Sequence, residues 1–196
     1  MDKDTSESET QSRQGDAFFF AYAVALLAIV IAGFSPSLFM RFAFEAPPIP
    51  FYLHLHGIIL TGWFVLLVIQ TWLIRVRNPV LHRRLGYCAA AYGCIVVLGA
   101  LMASLNAVPR ELAQGITFDT EMADIDPALG VGITYLTFIS GVIWANIASV
   151  CGFAALLAAA VYYRRRADVH KRLILVATLG MMGPPLARIS RLEVLG

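Results

Sequence analysis

The sequence predicts an all-α, polytopic membrane protein with five transmembrane helices. Of its 196 residues, 59% are hydrophobic and 14% are charged, whereas about 25% of the residues in a typical soluble domain are charged. The apolar residues form long uncharged runs, and about 20 helical residues are enough to cross a bilayer core of about 30 Å. The five uncharged runs are 17–40, 52–74, 85–108, 129–163 and 173–187.

The segment before the first run is short and polar. Residues 1–16 are dominated by acidic, hydroxylated and amide side chains, so we expect a disordered cytoplasmic tail. The run that follows lacks a small-residue cleavage site ahead of polar sequence, and it therefore indicates a membrane span rather than a signal peptide. Residues 17–196 then form a single transmembrane helical domain.

The fourth and fifth runs differ from a simple span. The fourth is 35 residues long, which exceeds one bilayer crossing at about 1.5 Å per residue. We expect the span itself at 141–163, with 129–140 in the outer interface or on an outward extension of the helix. The fifth contains the sequence Gly183-Pro184-Pro185, which must break or kink its helix.

The basic residues lie mainly in two of the links between runs. The second link carries Arg75 and Arg77 and the fourth carries three consecutive arginines at 164–166, each followed by a basic helix start. The positive-inside rule places both links in the cytoplasm. The N-terminus is then cytoplasmic, the C-terminus periplasmic and the membrane the bacterial inner membrane. The acidic segment 109–127 becomes an outer loop, for which a plain connector is favoured over a lid or a partner site.

A short motif occurs twice, 88 positions apart. Residues 81–85 read LHRRL and residues 169–173 read VHKRL, each where an apolar run resumes. Such self-similarity is typical of repeated membrane architectures. We therefore expect spans two and three and spans four and five to be copies of one helical hairpin. In a four-helix bundle of these hairpins, spans three and five lie on a diagonal, with His82 and His170 at the same depth.

Three roles are open for these two histidines. They would serve as axial ligands of a haem b iron, since imidazole is a standard axial ligand and bundle cores hold such sites. The basic residues after them would then pair with haem propionates or with lipid. The second interpretation involves no cofactor: the motifs anchor the helices among anionic head groups. Proton handling is a third role. The candidate cofactor-binding residues are His82, His170, Arg83, Arg84, Lys171 and Arg172.

Span two carries a polar stripe with a period of seven residues. His56, Trp63 and Gln70 share one helical face, which should look into the bundle or a wet cavity because polar groups are costly toward lipid. His54 lies on the other side of the helix, so the two neighbouring histidines do not form a chelating pair. Small-residue stripes on spans three and four favour close helix packing, with room for a flat ligand beside His82 as the alternative.

The motifs of common soluble chemistries are missing from the sequence. There is no phosphate-binding loop, nucleophile elbow, dinucleotide fingerprint or zinc-protease motif. The three cysteines, at 88, 94 and 151, fall within spans and have neither disulfide-framework nor zinc-type spacing. We expect no nucleic-acid partner. The expected partners are the lipid bilayer, anionic head groups at the cytoplasmic loops, and a membrane complex or a second copy of the chain.

Two resemblances follow from these motifs. The chain resembles a bacterial family of predicted membrane proteins of unknown function. The segments that carry this resemblance are HLHG at 54–57, Gln70, Arg77, LHRRLG at 81–86, HKRLILVAT at 170–178 and the closing Ala187-Arg188. That resemblance covers residues 52–192, implies no site roles, and implies that related chains continue past the fifth span. More loosely, His82 and His170 look like the haem-ligating histidines of transmembrane ferric reductase haem domains. The chain departs from that pattern because it lacks a second histidine along each span and a flavin or nicotinamide domain.

The sequence thus leads to three function hypotheses. The most specific is a small b-type haem protein that transfers electrons between a quinone or partner and another membrane component. The alternative is a cofactor-free accessory or assembly subunit that packs against a larger membrane complex. The third is a transporter of a small solute or a proton through the polar stripe of span two.

Overall fold

A computed structural model describes residues 2–43, 48–125 and 132–192, and within these ranges the chain is helical with no β-strand. The described ranges contain seven α-helices, a π-helical turn, Ser35–Phe39, and a 3-10 turn, Met122–Asp124. The helices are α1 Asp2–Phe34, α2 Phe51–Arg75, α3 Pro79–Leu105, α4 Ala107–Ala113, α5 Tyr135–Tyr162, α6 Ala167–Leu179 and α7 Gly183–Leu192.

Four helical segments of the described chain are long and apolar enough to cross a membrane. They are Gln14–Phe39, Phe51–Arg75, Pro79–Ala113 and Tyr135–Tyr162. The predicted fifth span is divided into α6 and α7, which meet at a bend of 45° and make a fifth crossing only if they are one broken span. The break follows from the sequence, because Pro184 and Pro185 lack the N–H groups that a continuous helix needs but fit the first turn of a new one.

Helix α1 begins earlier than the sequence predicts. Its backbone is helical from Asp2, whereas residues 1–16 are predicted to form a disordered tail. Helix propagation adds one hydrogen bond for each residue fixed once a nucleus exists. The apolar part of α1, which begins at Gln14, supplies that nucleus. The polar segment before Gln14 continues the same helix toward the N-terminus.

The transmembrane helices pack in a closed ring. Helix α2 packs against α1 and α3, α3 against α5, α5 against α6, and α7 returns to α1. The two predicted hairpins are therefore present as α2–α3 and α5–α6. The ring differs from the predicted four-helix bundle because α1 is a full member, with Ala23, Leu26 and Val30 buried in the common core.

The core lies at mid-depth, where large side chains from neighbouring helices meet. Trp63 and Phe64 come from α2 and Phe153 and Leu157 from α5. Gly93 of α3 makes this layer possible, because a Cβ atom there would collide with the Leu157 side chain and lie 3.6 Å from the Trp63 ring. The small-residue stripe of span three thus serves close packing at this level.

The end of the bundle opposite His82 and His170 has its own small cluster, built by the loop before α5. Met122, Tyr135 and Ile139 are buried together. The Met122 amide donates to the Ile133 carbonyl and the Tyr135 amide to the Thr120 carbonyl. Helix α5 begins at Tyr135, which agrees with the predicted extension of the helix beyond residue 141. Helix α4 occupies the start of the segment 109–127 that is predicted to be an outer loop, and residues 126–131 lie outside the described chain.

The contact between α1 and α7 depends on one glycine. A Cβ atom at Gly33 would lie 2.5 Å from the Pro185 carbonyl oxygen and 3.0 Å from its Cα. Because these are backbone atoms, Gly33→Ala must push the helices apart, and we expect a loss of about 1–3 kcal/mol in the free energy of unfolding. Gly152→Ala is the matched control, since nothing lies within 4 Å of its Cβ position. Equal unfolding midpoints for the two variants in detergent would contradict this account of the contact.

Candidate functional site

The two motif histidines occupy equivalent positions in the two hairpins. Each is the fourth residue of its helix, in α3 and in α6. The His82 amide donates to the Asn78 carbonyl at 3.1 Å, and the His170 amide donates to the Arg166 carbonyl at 2.9 Å. Asn78 also caps α3 by accepting a hydrogen bond from the Leu81 amide. The repeated sequence therefore produces a repeated local structure, with one imidazole on the first turn of each second helix.

The His82 and His170 rings face each other across the ring of helices. Their centroids are 6.5 Å apart and their planes are inclined by 83°. Both residues are half-buried. The pairing brings together two residues that are 88 positions apart in the chain, and it places them at one depth near the end of the bundle that carries most of the basic residues.

The Nδ1 atom of His170 is held by the backbone. It lies 2.8 Å from the carbonyl oxygen of Ala160, which can only accept a hydrogen bond, so Nδ1 is the protonated nitrogen in the neutral ring. Nε2 then carries the free lone pair. A ring N–H that donates to a backbone carbonyl is the arrangement that commonly orients a metal-bound histidine.

Gln70 of α2 holds the other histidine. In the amide orientation that satisfies all its neighbours, its nitrogen donates to the His82 carbonyl at 3.2 Å and its oxygen accepts from the Gly86 amide at 3.0 Å. The side chain therefore joins the backbone hydrogen bonding of the first turns of α3. The same nitrogen lies beside His82 Nδ1. In this orientation Nδ1 of His82 accepts from the amide, so the neutral His82 ring carries its proton on Nε2.

The other two members of the span-two stripe also contact neighbouring helices. His56 Nδ1 lies 3.1 Å from the Gly99 carbonyl of α3. Trp63 Nε1 donates to Thr178 Oγ1 at 3.1 Å, and the Trp63 ring packs edge-to-face on Phe153, with centroids 4.9 Å apart. His54 differs, because its Nδ1 lies 3.4 Å from the carbonyl oxygen of Pro50, the residue before α2. The stripe thus points into the bundle, where each member makes a specific polar contact.

The four basic residues of the two motifs do not form one group. Arg83 and Arg84 on α3 are exposed. On α6, the Lys171 ammonium lies 4.7 Å from the centre of the Phe19 ring, and Arg172 lines a cavity together with residues of α1. The structure therefore turns the α6 cations toward α1, whereas the α3 cations remain available to a ligand or to head groups.

The donor set limits which metal the site would hold. No group of three or more histidine, cysteine, aspartate or glutamate side chains that could bind an ion occurs in the described ranges. Two facing imidazoles alone leave a metal ion well short of the four or more ligands that it usually takes. A haem supplies four ligands of its own and needs two axial ones. The two-histidine set fits that group better than it fits a bare ion.

Two contributors were not predicted as site residues, although one of them, Thr178, ends the quoted segment HKRLILVAT. Thr178 is fully buried, accepts from Trp63 and donates to the Ile174 carbonyl. Its spacing of eight residues from His170, two steps of four along α6, is the signal that could have identified it. The Ala160 carbonyl carries no signal in the sequence, because any residue has a backbone oxygen and only the close approach of α5 and α6 selects this one.

Comparisons with known proteins give no relative for this chain. No family model matches the sequence, and no curated protein and no solved structure matches it. The resemblance to a bacterial membrane-protein family therefore stays a prediction, and the site is interpreted from its own geometry.

Proposed function

We propose that this chain is a small b-type haem protein that carries electrons in the bacterial inner membrane, with His82 and His170 as axial ligands. The observation that carries the proposal is the pair of facing imidazoles, 6.5 Å apart between ring centres. When bound, the haem would supply reversible one-electron chemistry. The chain would supply the two ligands and their orientation.

The ring separation suits a shared metal atom. Two imidazoles that bind one metal through nitrogens at about 2.0 Å have ring centres about 6 Å apart. Two imidazoles joined by a direct N–H···N hydrogen bond have them about 5 Å apart. The separation of 6.5 Å is too long for the hydrogen bond and close to the value for coordination.

The surrounding hydrogen bonds would prepare both rings for this role. The Ala160 carbonyl fixes the protonated nitrogen of His170, so Nε2 of that ring would be available as a ligand. Gln70 holds His82 through the main-chain carbonyl and Nδ1, and His82 would bind through Nε2 once the ring proton moves to Nδ1 and the Gln70 amide releases that atom. Such partners raise ligand basicity and lock ring orientation, which reduces the rearrangement that accompanies a change of charge on the metal.

The packing next to His82 leaves room for a flat group. A Cβ atom at Gly86, one turn after His82, would have no neighbouring atom within 4 Å. The Trp63 layer is the next packed level, seven residues or about 10 Å from Gln70 along α2. Arg83 and Arg84 would pair with the propionates. Under the positive-inside rule this end of the bundle faces the cytoplasm, with the N-terminus inside and the C-terminus in the periplasm.

A cofactor-free accessory or assembly subunit is the second candidate. Its support is the tight mid-depth core around Gly93 together with an open face on α5, where Cβ atoms at Gly141 and Gly152 would meet nothing within 4 Å. Small residues on an open face let another membrane helix approach closely. The transport hypothesis gains less support, because the packed Trp63 layer lies between His56 and Gln70.

The absorption spectrum of the purified full chain separates these candidates. The protein is produced in haem-replete cells, purified in mild detergent, and measured oxidised and dithionite-reduced together with its haem content. The proposal predicts a single haem per chain and a sharp α band on reduction. A colourless protein that also fails to take up added haem would reject it in favour of the cofactor-free subunit.

A further inference from the structure

A cavity of about 320 Å³ opens on the side of the bundle between α1 and α6. Aromatic residues of α1 and aliphatic residues of α6 form its walls; they are Phe18, Phe19, Tyr22, Leu175, Val176 and Leu179. Phe18, Val176 and Leu179 are at least half exposed. Within the bundle α1 packs closely on α2 and α7, and α6 packs closely on α5. The groove therefore marks a seam between α1 and α6, beside the contact of α1 with α7 that closes the ring of helices.

The polar end of this groove is positively charged. Arg172 is the one charged residue in its lining, and the neighbouring Lys171 ammonium lies over Phe19. On the other side of α1, the Arg75 guanidinium lies 5.2 Å from the centre of the Phe20 ring. Cations therefore flank α1 at its inner end, and no acidic side chain of the described chain lines the groove.

From this arrangement we propose that the groove binds one anionic phospholipid from the leaflet at the basic end of the bundle. Its acyl chain would lie between the α1 aromatic and α6 aliphatic walls, and Arg172 would bind its phosphate. An apolar trough with a single cation at its mouth matches an amphiphile with one negative head group, and basic pockets between membrane helices commonly bind such lipids. The lipid would complete the seam between α1 and α6. This inference does not depend on the haem proposal.

Native mass spectrometry of the full chain tests it. The protein is titrated in detergent with phosphatidylglycerol or with phosphatidylcholine of the same acyl chains. We expect one tightly bound phosphatidylglycerol, at least about fivefold preferred, since one cation near a membrane surface contributes about that factor. Equal binding of the two lipids would overturn the proposal.

Two substitutions separate the groove from general surface charge. Arg172→Gln should weaken phosphatidylglycerol binding about fivefold and leave phosphatidylcholine unchanged. Arg165→Gln is the matched control, an exposed cation at the same end of the bundle in the link between α5 and α6, and should have no effect. Equal losses in both variants would show diffuse attraction and reject a specific site.

A third variant tests the acyl-chain part of the site. Val176 is half exposed in the groove, so the larger side chain of Val176→Trp should fill the groove and abolish tight binding of the lipid. Inorganic phosphate at millimolar concentration should not compete with the lipid for the wild-type chain. Retained tight binding in a folded Val176→Trp protein, or displacement by phosphate, would overturn the placement of the chain. If this variant does not fold, the two arginine variants decide the question on their own.

Discussion

Simultaneous replacement of His82 and His170 by alanine is expected to abolish haem binding. Each ring supplies one of the two proposed axial ligands, and no third histidine, cysteine or carboxylate joins them to form a metal-binding group in the described ranges. The reduced α band of the purified wild-type chain should therefore be absent from the double variant. The single variants should keep one ligand and give weaker binding with a high-spin spectrum.

The control for this prediction is His54→Ala. His54 Nδ1 lies 3.4 Å from the carbonyl oxygen of Pro50, the residue that precedes α2. His54 is a histidine like the proposed ligands but is not part of the His82–His170 pair. Its replacement should leave the absorption spectrum of the reduced protein unchanged. An α band of wild-type position and intensity in the double variant would exclude these histidines as ligands.

Trp63→Ala is expected to destabilise the helix bundle more than Gly33→Ala does. The Trp63 side chain is 4% exposed, packs edge-to-face on Phe153 and donates to Thr178, so it links α2 with α5 and α6. Truncation of a buried tryptophan costs about 3–5 kcal/mol of unfolding free energy. This applies in a membrane because helix association there depends on van der Waals packing. Equilibrium unfolding of detergent-solubilised protein measures the loss.

Two further tryptophan variants separate the contributions. Trp63→Phe keeps most of the ring contact but removes the hydrogen bond, and should cost about 0.6 kcal/mol, a typical value for an interhelical bond in a membrane. Trp144 on α5 is 71% exposed, so Trp144→Ala should fall within about 0.5 kcal/mol of wild type. If Trp63→Ala proves as mild as Trp144→Ala, the packed layer does not hold the helices together.

Much of the fold could be predicted because its signals are local. Uncharged runs of sufficient length identify the membrane-suited helices, and the structure confirms an all-helical chain with four of them in the described ranges. The offset of 88 residues predicts two hairpins with His82 and His170 at one depth, and the structure brings these rings together in an edge-on pair with centroids 6.5 Å apart. Period-seven spacing likewise predicts a polar face on α2, and all three of its side chains contact other helices.

The parts that the sequence did not reveal depend on tertiary contacts. The repeat covers only the two hairpins, so it could not show that α1 enters the same core or that Gly33 meets the Pro185 backbone. The direction of Lys171 and Arg172 toward α1 likewise follows from how α6 is rotated in the ring. From the motif alone, all four basic residues were predicted to have the same role, as partners of haem propionates or of lipid.

Electron paramagnetic resonance of the oxidised full-length chain, purified from haem-replete cells, tests the central claim most directly. The angle of 83° between the His82 and His170 rings makes a specific prediction, because perpendicular axial imidazoles leave two iron d orbitals nearly degenerate. The expected result is a highly anisotropic low-spin ferric signal that disappears in the double histidine variant. A chain with no ferric haem signal, or with a high-spin signal alone, would contradict the account.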